Sequence, residues 1–124
     1  MPMPEFKQIV DDARRHIQEI GPSELVRMQQ AGEDFTLIDV REPDEHAKGT
    51  IAGAVTMPRG ILERDIDQVT SDKNRKIVLY CAGGLRSVLA AQSLKSMGFK
   101  DVISLSGGYR GWVQSQAGGA ISGD

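Results

Sequence analysis

Lys76-Ile77-Val78-Leu79-Tyr80 is a short run, apolar on both faces a strand presents, that stops at Cys81 and the glycine pair Gly83-Gly84. A strand with no polar face must be covered from both sides, which is the situation of a parallel sheet lying between helices. The rest of the chain repeats the theme. Phe35 to Val40 and Val102 to Leu105 read as buried strands, Ile17 to Ile20 as an edge strand, and Ala54 to Met57 as a short one. Segments with helical spacing alternate with them. Phe6, Ile9, Val10 and Ala13 make one stripe over residues 5–15, and Leu25, Val26 and Met28 mark a second helix, with Ser23 as its expected N-cap. Pro58 opens a third, carrying Ile61, Leu62, Ile66 and Val69. A fourth runs to Met97 with Gly98 as its stop. Its apolar residues spread too widely for one stripe and suit a helix buried over much of its circumference. A short helix through Trp112 follows Gly107-Gly108. Strand–helix alternation of this kind predicts an α/β fold.

The chain has 124 residues, enough for one domain with a real core. The expected organisation is a helical extension over 1–16, a domain over 17–117 and a flexible tail over 118–124. Lys and Arg number 15 against 17 Asp and Glu, a net charge of −2, which speaks against a nucleic-acid-binding module. Aromatic residues are only 5%, too few for base-stacking platforms. There is no long apolar segment to span a membrane, and the N-terminus lacks the layout of a secretory signal, so cytoplasm is the default compartment. The size suits a monomer. One cysteine allows no internal disulfide, and with two histidines it makes a poor metal set.

Any special chemistry therefore rests on the single sulfur of Cys81. In open parallel sheets ligands bind beyond the carboxyl ends of the strands, which selects residues 39–42, 81–87 and 106–108. Gly83 and Gly84 let successive backbone N–H groups converge on one point, and the helix that follows adds its unpaired N–H groups and positive dipole end. Arg86 and Ser87 supply further donors in its first turn. A thiol so placed is expected to favour its thiolate form. A buried, inert thiol would be expected inside the strand or on a packed helix face instead.

Cys81-Ala82-Gly83-Gly84-Leu85-Arg86-Ser87 resembles the active-site loop of the rhodanese, or sulfurtransferase, family. Three further stretches match in the family's order: Leu37 to Glu42, Gly49 to Ala54, and Leu105 to Trp112. Thr50 departs from the pattern, since the family commonly has histidine there. The resemblance implies an open parallel five-stranded sheet with helices on both faces. It also implies a double displacement in which Cys81 takes the outer sulfur of a small anionic donor such as thiosulfate or polysulfide. A thiol, cyanide or a protein acceptor then removes it, with no metal or organic cofactor required. The N–H groups of Ala82, Gly83, Gly84, Leu85 and Arg86 would stabilise the persulfide, and Ser87 belongs to the same loop. Arg86 is the first candidate for holding the donor anion and Arg59 the second. Asp39 and Arg41 are implied to brace the fold through an ion pair rather than to act on substrate.

His16 and His46 read as solvated side chains, and Glu42 as the start of a helix, where negative charge is favoured. Two alternatives stay open. One is a phosphatase or arsenate-reductase-like enzyme on the same fold. Only four residues separate Cys81 from Arg86, one fewer than the loop such enzymes resemble, and Ser87 stands where their arginine would be. The other is a non-catalytic module that holds an anion or senses oxidation at Cys81.

Overall fold

The computed structural model describes residues 5–122, with side chains through residue 116. Its strands and helices alternate as expected: α1 (Phe6–Arg14), β1 (Gln18–Ile20), α2 (Pro22–Gln30), β2 (Thr36–Asp39), α3 (Pro43–His46), β3 (Val55–Thr56), α4 (Leu62–Asp65), β4 (Lys76–Tyr80), α5 (Arg86–Ser96), β5 (Asp101–Leu105) and α6 (Gly108–Ser122). The five strands form one parallel sheet in the order β1-β5-β4-β2-β3. β4 is therefore the middle strand, hydrogen-bonded on both edges.

Alternation along the strands sorts the core into two layers. Ile77 and Leu79 of β4 point to the side covered by Val10 and Ala13 of α1, Leu62 of α4 and Val88, Ala91 and Leu94 of α5. Val78 and Tyr80 point to the opposite side, under Leu25 and Met28 of α2 and Tyr109 and Trp112 of α6. Each face thus buries a set of aliphatic side chains, and each fully buried one contributes roughly 1.5–3 kcal/mol.

Local chemistry shifts several boundaries. The N-cap of α2 is Gly21 rather than Ser23. Pro22 fits the first helical position because it has no N–H to leave unpaired, so the helix starts earlier than the serine suggests. β3 is confined to Val55–Thr56 within the expected 54–57. The single helix expected from Pro58 is divided into a 3-10 turn (Arg59–Ile61), α4 and a second 3-10 turn (Ile66–Gln68). Gly60 and the β-branched Ile61 and Ile66 disfavour a continuous α-helix there, while Leu62 and Ile66 still reach the core. Glu42 does begin a helix: its amide donates to Glu45 Oε1 at 2.9 Å in a capping box, with Pro43 in the first turn. α6 runs to Ser122, well past Trp112, and residues 123 and 124 of the expected tail lie outside the described residues.

Candidate active site

Cys81 continues the alternation of β4, so its side chain falls on the same face as Ile77 and Leu79, beneath the start of α5. It is 1% exposed, yet polar groups reach its sulfur. The Gly84 N–H donates to Sγ at 3.1 Å and the Ser87 N–H at 3.4 Å. Ser87 Oγ lies 3.5 Å from Sγ and 2.8 Å from Ser104 Oγ, making a buried chain of one sulfur and two hydroxyls. Among the described residues, the loop amides bonded to the sulfur are these two. Of the amides from Ala82 to Arg86, the one bonded to the thiol sulfur is that of Gly84, and Ser87 supplies the second.

The loop conformation depends on glycine at two places. Gly84 has φ +92°, and a Cβ there would stand 2.9 Å from the Gly107 amide nitrogen. Gly108 has φ +59°, and its Cβ would meet Cys81 O at 2.5 Å and Ala82 C at 2.8 Å. This close approach lets the first turn of α6 clamp the loop: Tyr109 N–H donates to Cys81 O at 2.7 Å and Arg110 N–H to Ala82 O at 3.0 Å.

Beside the loop lies a cavity of about 420 Å³, lined by Cys81, Ala82, Gly83, Leu85, Arg86, Arg110 and Phe6. Arg86 is there as expected, but it is not free. Its two terminal nitrogens donate to the two carboxylate oxygens of Glu45 at 3.0 Å each. The hydrogen bonds from Arg86 hold the Glu45 carboxyl down to about 2, against the opposing effect of burial, and the same pairing raises Arg86. Arg59 lies away from this lining: it donates to both oxygens of Glu63 and to Ser93 Oγ. Phe6, Arg110, Glu45 and Ser104 were not among the residues singled out by sequence reasoning. The helical stripe containing Phe6 was visible, but nothing local indicated that α1 would bring it to the mouth of the cavity.

Beside the loop, Asp39 and Arg41 form a buried pair. Arg41 Nη2 donates to Asp39 Oδ2 at 2.7 Å, its Nε to Oδ1 at 3.0 Å, and its backbone N–H to Oδ1 at 2.9 Å. Arg41 also reaches Gly49 O at 2.6 Å and lies 4.2 Å from the centre of the Tyr109 ring. Burial alone would lower the Arg41 guanidinium, but its bonds to Asp39 outweigh that and keep it raised. Burial also pushes the Tyr80 phenol up, and its oxygen accepts from the Ile51 N–H at 3.0 Å. His46 corrects an expectation. Its side chain is only 14% exposed, with Nε2 3.5 Å from Asp39 Oδ1, because the short turn of α3 folds it back over the pair. His16 is exposed.

No group of three or more metal-ligating side chains occurs among the described residues, and no described helix is long and apolar enough to cross a membrane. What the fold presents is one cysteine at the carboxyl end of the central strand of a parallel sheet, bonded to loop amides and to the first turn of a helix. The domain is thus of the α/β class, with a five-stranded parallel sheet. The model of the rhodanese-like domain matches residues 21–115, and the chain belongs to that family. It is 34% identical over 98 residues to the thiosulfate sulfurtransferase GlpE of Shewanella oneidensis, covering 79% of this chain and 94% of that one. It is also 34% identical over 97 residues to the putative sulfur carrier protein YrkF of Bacillus subtilis, covering 78% of this chain but spanning only 51% of YrkF. Among solved structures, a Rhodopseudomonas palustris protein of unknown function, described as a possible tyrosine phosphatase, is similar at a TM-score of 0.81 and 32% identity. That match covers 94% of this chain and 96% of the other.

Proposed function

We propose that this rhodanese-like chain is a sulfurtransferase that carries sulfur as a persulfide on Cys81. The observation that carries the reading is the sulfur itself: Sγ accepts from the Gly84 and Ser87 amides in a residue that lines a cavity, rather than being surrounded by aliphatic side chains alone. In the first half-reaction the Cys81 thiolate attacks the outer sulfur of a donor such as thiosulfate. A sulfur–sulfur bond forms to Sγ, the one in the donor breaks, and sulfite leaves with the bonding pair. In the second, a thiolate or cyanide attacks the outer persulfide sulfur and the Cys81 thiolate departs. Two fixed N–H donors near Sγ favour negative charge there in both halves without reorganising. Relatives described as a thiosulfate sulfurtransferase and as a sulfur carrier support this direction, with a thiol or a partner protein as acceptor.

The resemblance to a possible tyrosine phosphatase raises a second reading, which the loop argues against. A phosphate cradle of that type needs an arginine where Ser87 stands, and Ser87 is fully buried against Ser104. The next arginine back, Arg86, is tied to Glu45. The test is steady-state transfer from thiosulfate to cyanide, followed as thiocyanate, beside hydrolysis of an aryl phosphate. Thiocyanate formation that vanishes in Cys81→Ser supports sulfur transfer. Cys81-dependent phosphate release without thiocyanate would reverse the assignment.

A further inference from the structure

We infer that Arg110 is the residue that recognises the anionic end of the sulfur donor, an inference that rests on the sulfur-transfer reading above. Three arginines come into question: the two expected from the sequence, Arg86 and Arg59, and Arg110, which lines the cavity. Arg59 is bound to Glu63 and Ser93 and does not line the cavity. Arg86 lines it, but both of its terminal nitrogens are taken by Glu45, so its charge is compensated where it stands. Arg110 lines the cavity and forms no ion pair among the described residues. Its backbone is fixed to the loop by the N–H bond to Ala82 O at 3.0 Å, so the side chain starts from a point rigid with respect to Cys81. Its guanidinium lies over the loop at Gly83, where a Cβ would meet both terminal nitrogens at 3.5 Å.

The cavity lining thus joins the cationic Arg110, with the paired Arg86, to the apolar Phe6 and Leu85, which are 50% and 39% exposed. A donor that is small and doubly charged, with oxyanion oxygens at one end and a sulfane sulfur at the other, can direct its oxygens to Arg110 and its sulfur inward to Cys81. Planar guanidinium donors suit such oxygens better than an ammonium point charge does. The group acts on binding, and its effect is that of a partly exposed charge pair, roughly twofold to fivefold in affinity.

Two measurements on Arg110→Gln and Arg110→Lys decide this. In single-turnover loading from thiosulfate, Arg110→Gln is expected to raise the half-saturating donor concentration roughly twofold to fivefold while leaving the limiting rate unchanged, with Arg110→Lys between it and the parent. A loss in the limiting rate at unchanged half-saturation would mean a structural role and overturn the inference. The second measurement needs no sulfur transfer: alkylation of Cys81 by iodoacetate, an anion, against iodoacetamide, which is neutral. Arg110→Gln is expected to lower the iodoacetate-to-iodoacetamide rate ratio several-fold. An unchanged ratio overturns the inference. If the parent protein loads from no donor, the sulfur-transfer reading fails by itself, and the alkylation ratio still decides whether Arg110 attracts anions to this cavity.

Discussion

Replacing Gly108 by alanine tests how the first turn of α6 holds the Cys81 loop. Gly107 and Gly108 both have positive φ, +78° and +59°. Each therefore costs about 1–2 kcal/mol of backbone strain when substituted. Their surroundings differ. A Cβ at 107 finds only Gly111 Cα at 3.5 Å, an ordinary contact, whereas one at 108 would overlap Cys81 O at 2.5 Å and Ala82 C at 2.8 Å. These are backbone atoms and cannot rotate aside. Relief requires α6 and the loop to separate, loosening the bonds from Tyr109 N–H at 2.7 Å and Arg110 N–H at 3.0 Å. Each such bond contributes about 1 kcal/mol. Gly108→Ala is therefore expected to lose about 3–4 kcal/mol in urea unfolding, against about 1–2 for Gly107→Ala. Cys81 alkylation by iodoacetamide should change several-fold in Gly108→Ala and little in Gly107→Ala, because only the former displaces the amides around the sulfur. Equal losses in the two variants, or normal Cys81 reactivity in Gly108→Ala, would refute the clamp.

Asp39→Asn removes the charge that compensates buried Arg41 and is expected to cost about 3 kcal/mol in chemical denaturation. Ser87→Ala leaves Ser104 Oγ buried without its partner, at about 1–3 kcal/mol, and adding Ser104→Ala should recover part of that loss rather than add to it. Glu45 gives a pH signature. Its carboxyl is held to about 2 in the fold against an ordinary 4.5, so its contribution is present above 4.5 and lost as pH falls toward 2. Because Arg86 and Glu45 are 36% and 28% exposed, solvent screening reduces this contribution to about 1 kcal/mol. Urea midpoints of Glu45→Gln should lie below the parent at neutral pH and converge with it near pH 2.

The strand-end cysteine and the alternation of strands and helices were legible because each is written in contiguous residues. Lys76 to Tyr80 announces a strand covered on both faces, and the glycines after it announce a turn. Strand order was not legible, since nothing local to β5 says that it pairs with both β1 and β4. Arg86 shows the same limit: its partner Glu45 lies 41 residues away, and only the fold brings them together. By contrast, the partner of Arg59 is four residues ahead, at helical spacing, and could have been read from the sequence. His46 looked solvated in a charged stretch, but the Pro43 helix start and the Glu42 capping box turn it onto Asp39. Arg110 sits at the third position of a helix whose first residue, Gly108, lies against the Cys81 loop. The glycines announced that helix, and its contact with the Cys81 loop emerged only from packing.

The most direct test is the intact mass of the protein after exposure to a sulfane-sulfur donor and removal of the excess. The account predicts a gain of one sulfur atom that maps to Cys81, disappears on adding a thiol acceptor and is absent from Cys81→Ser. An unaltered mass after thiosulfate, mercaptopyruvate and polysulfide in turn would contradict it.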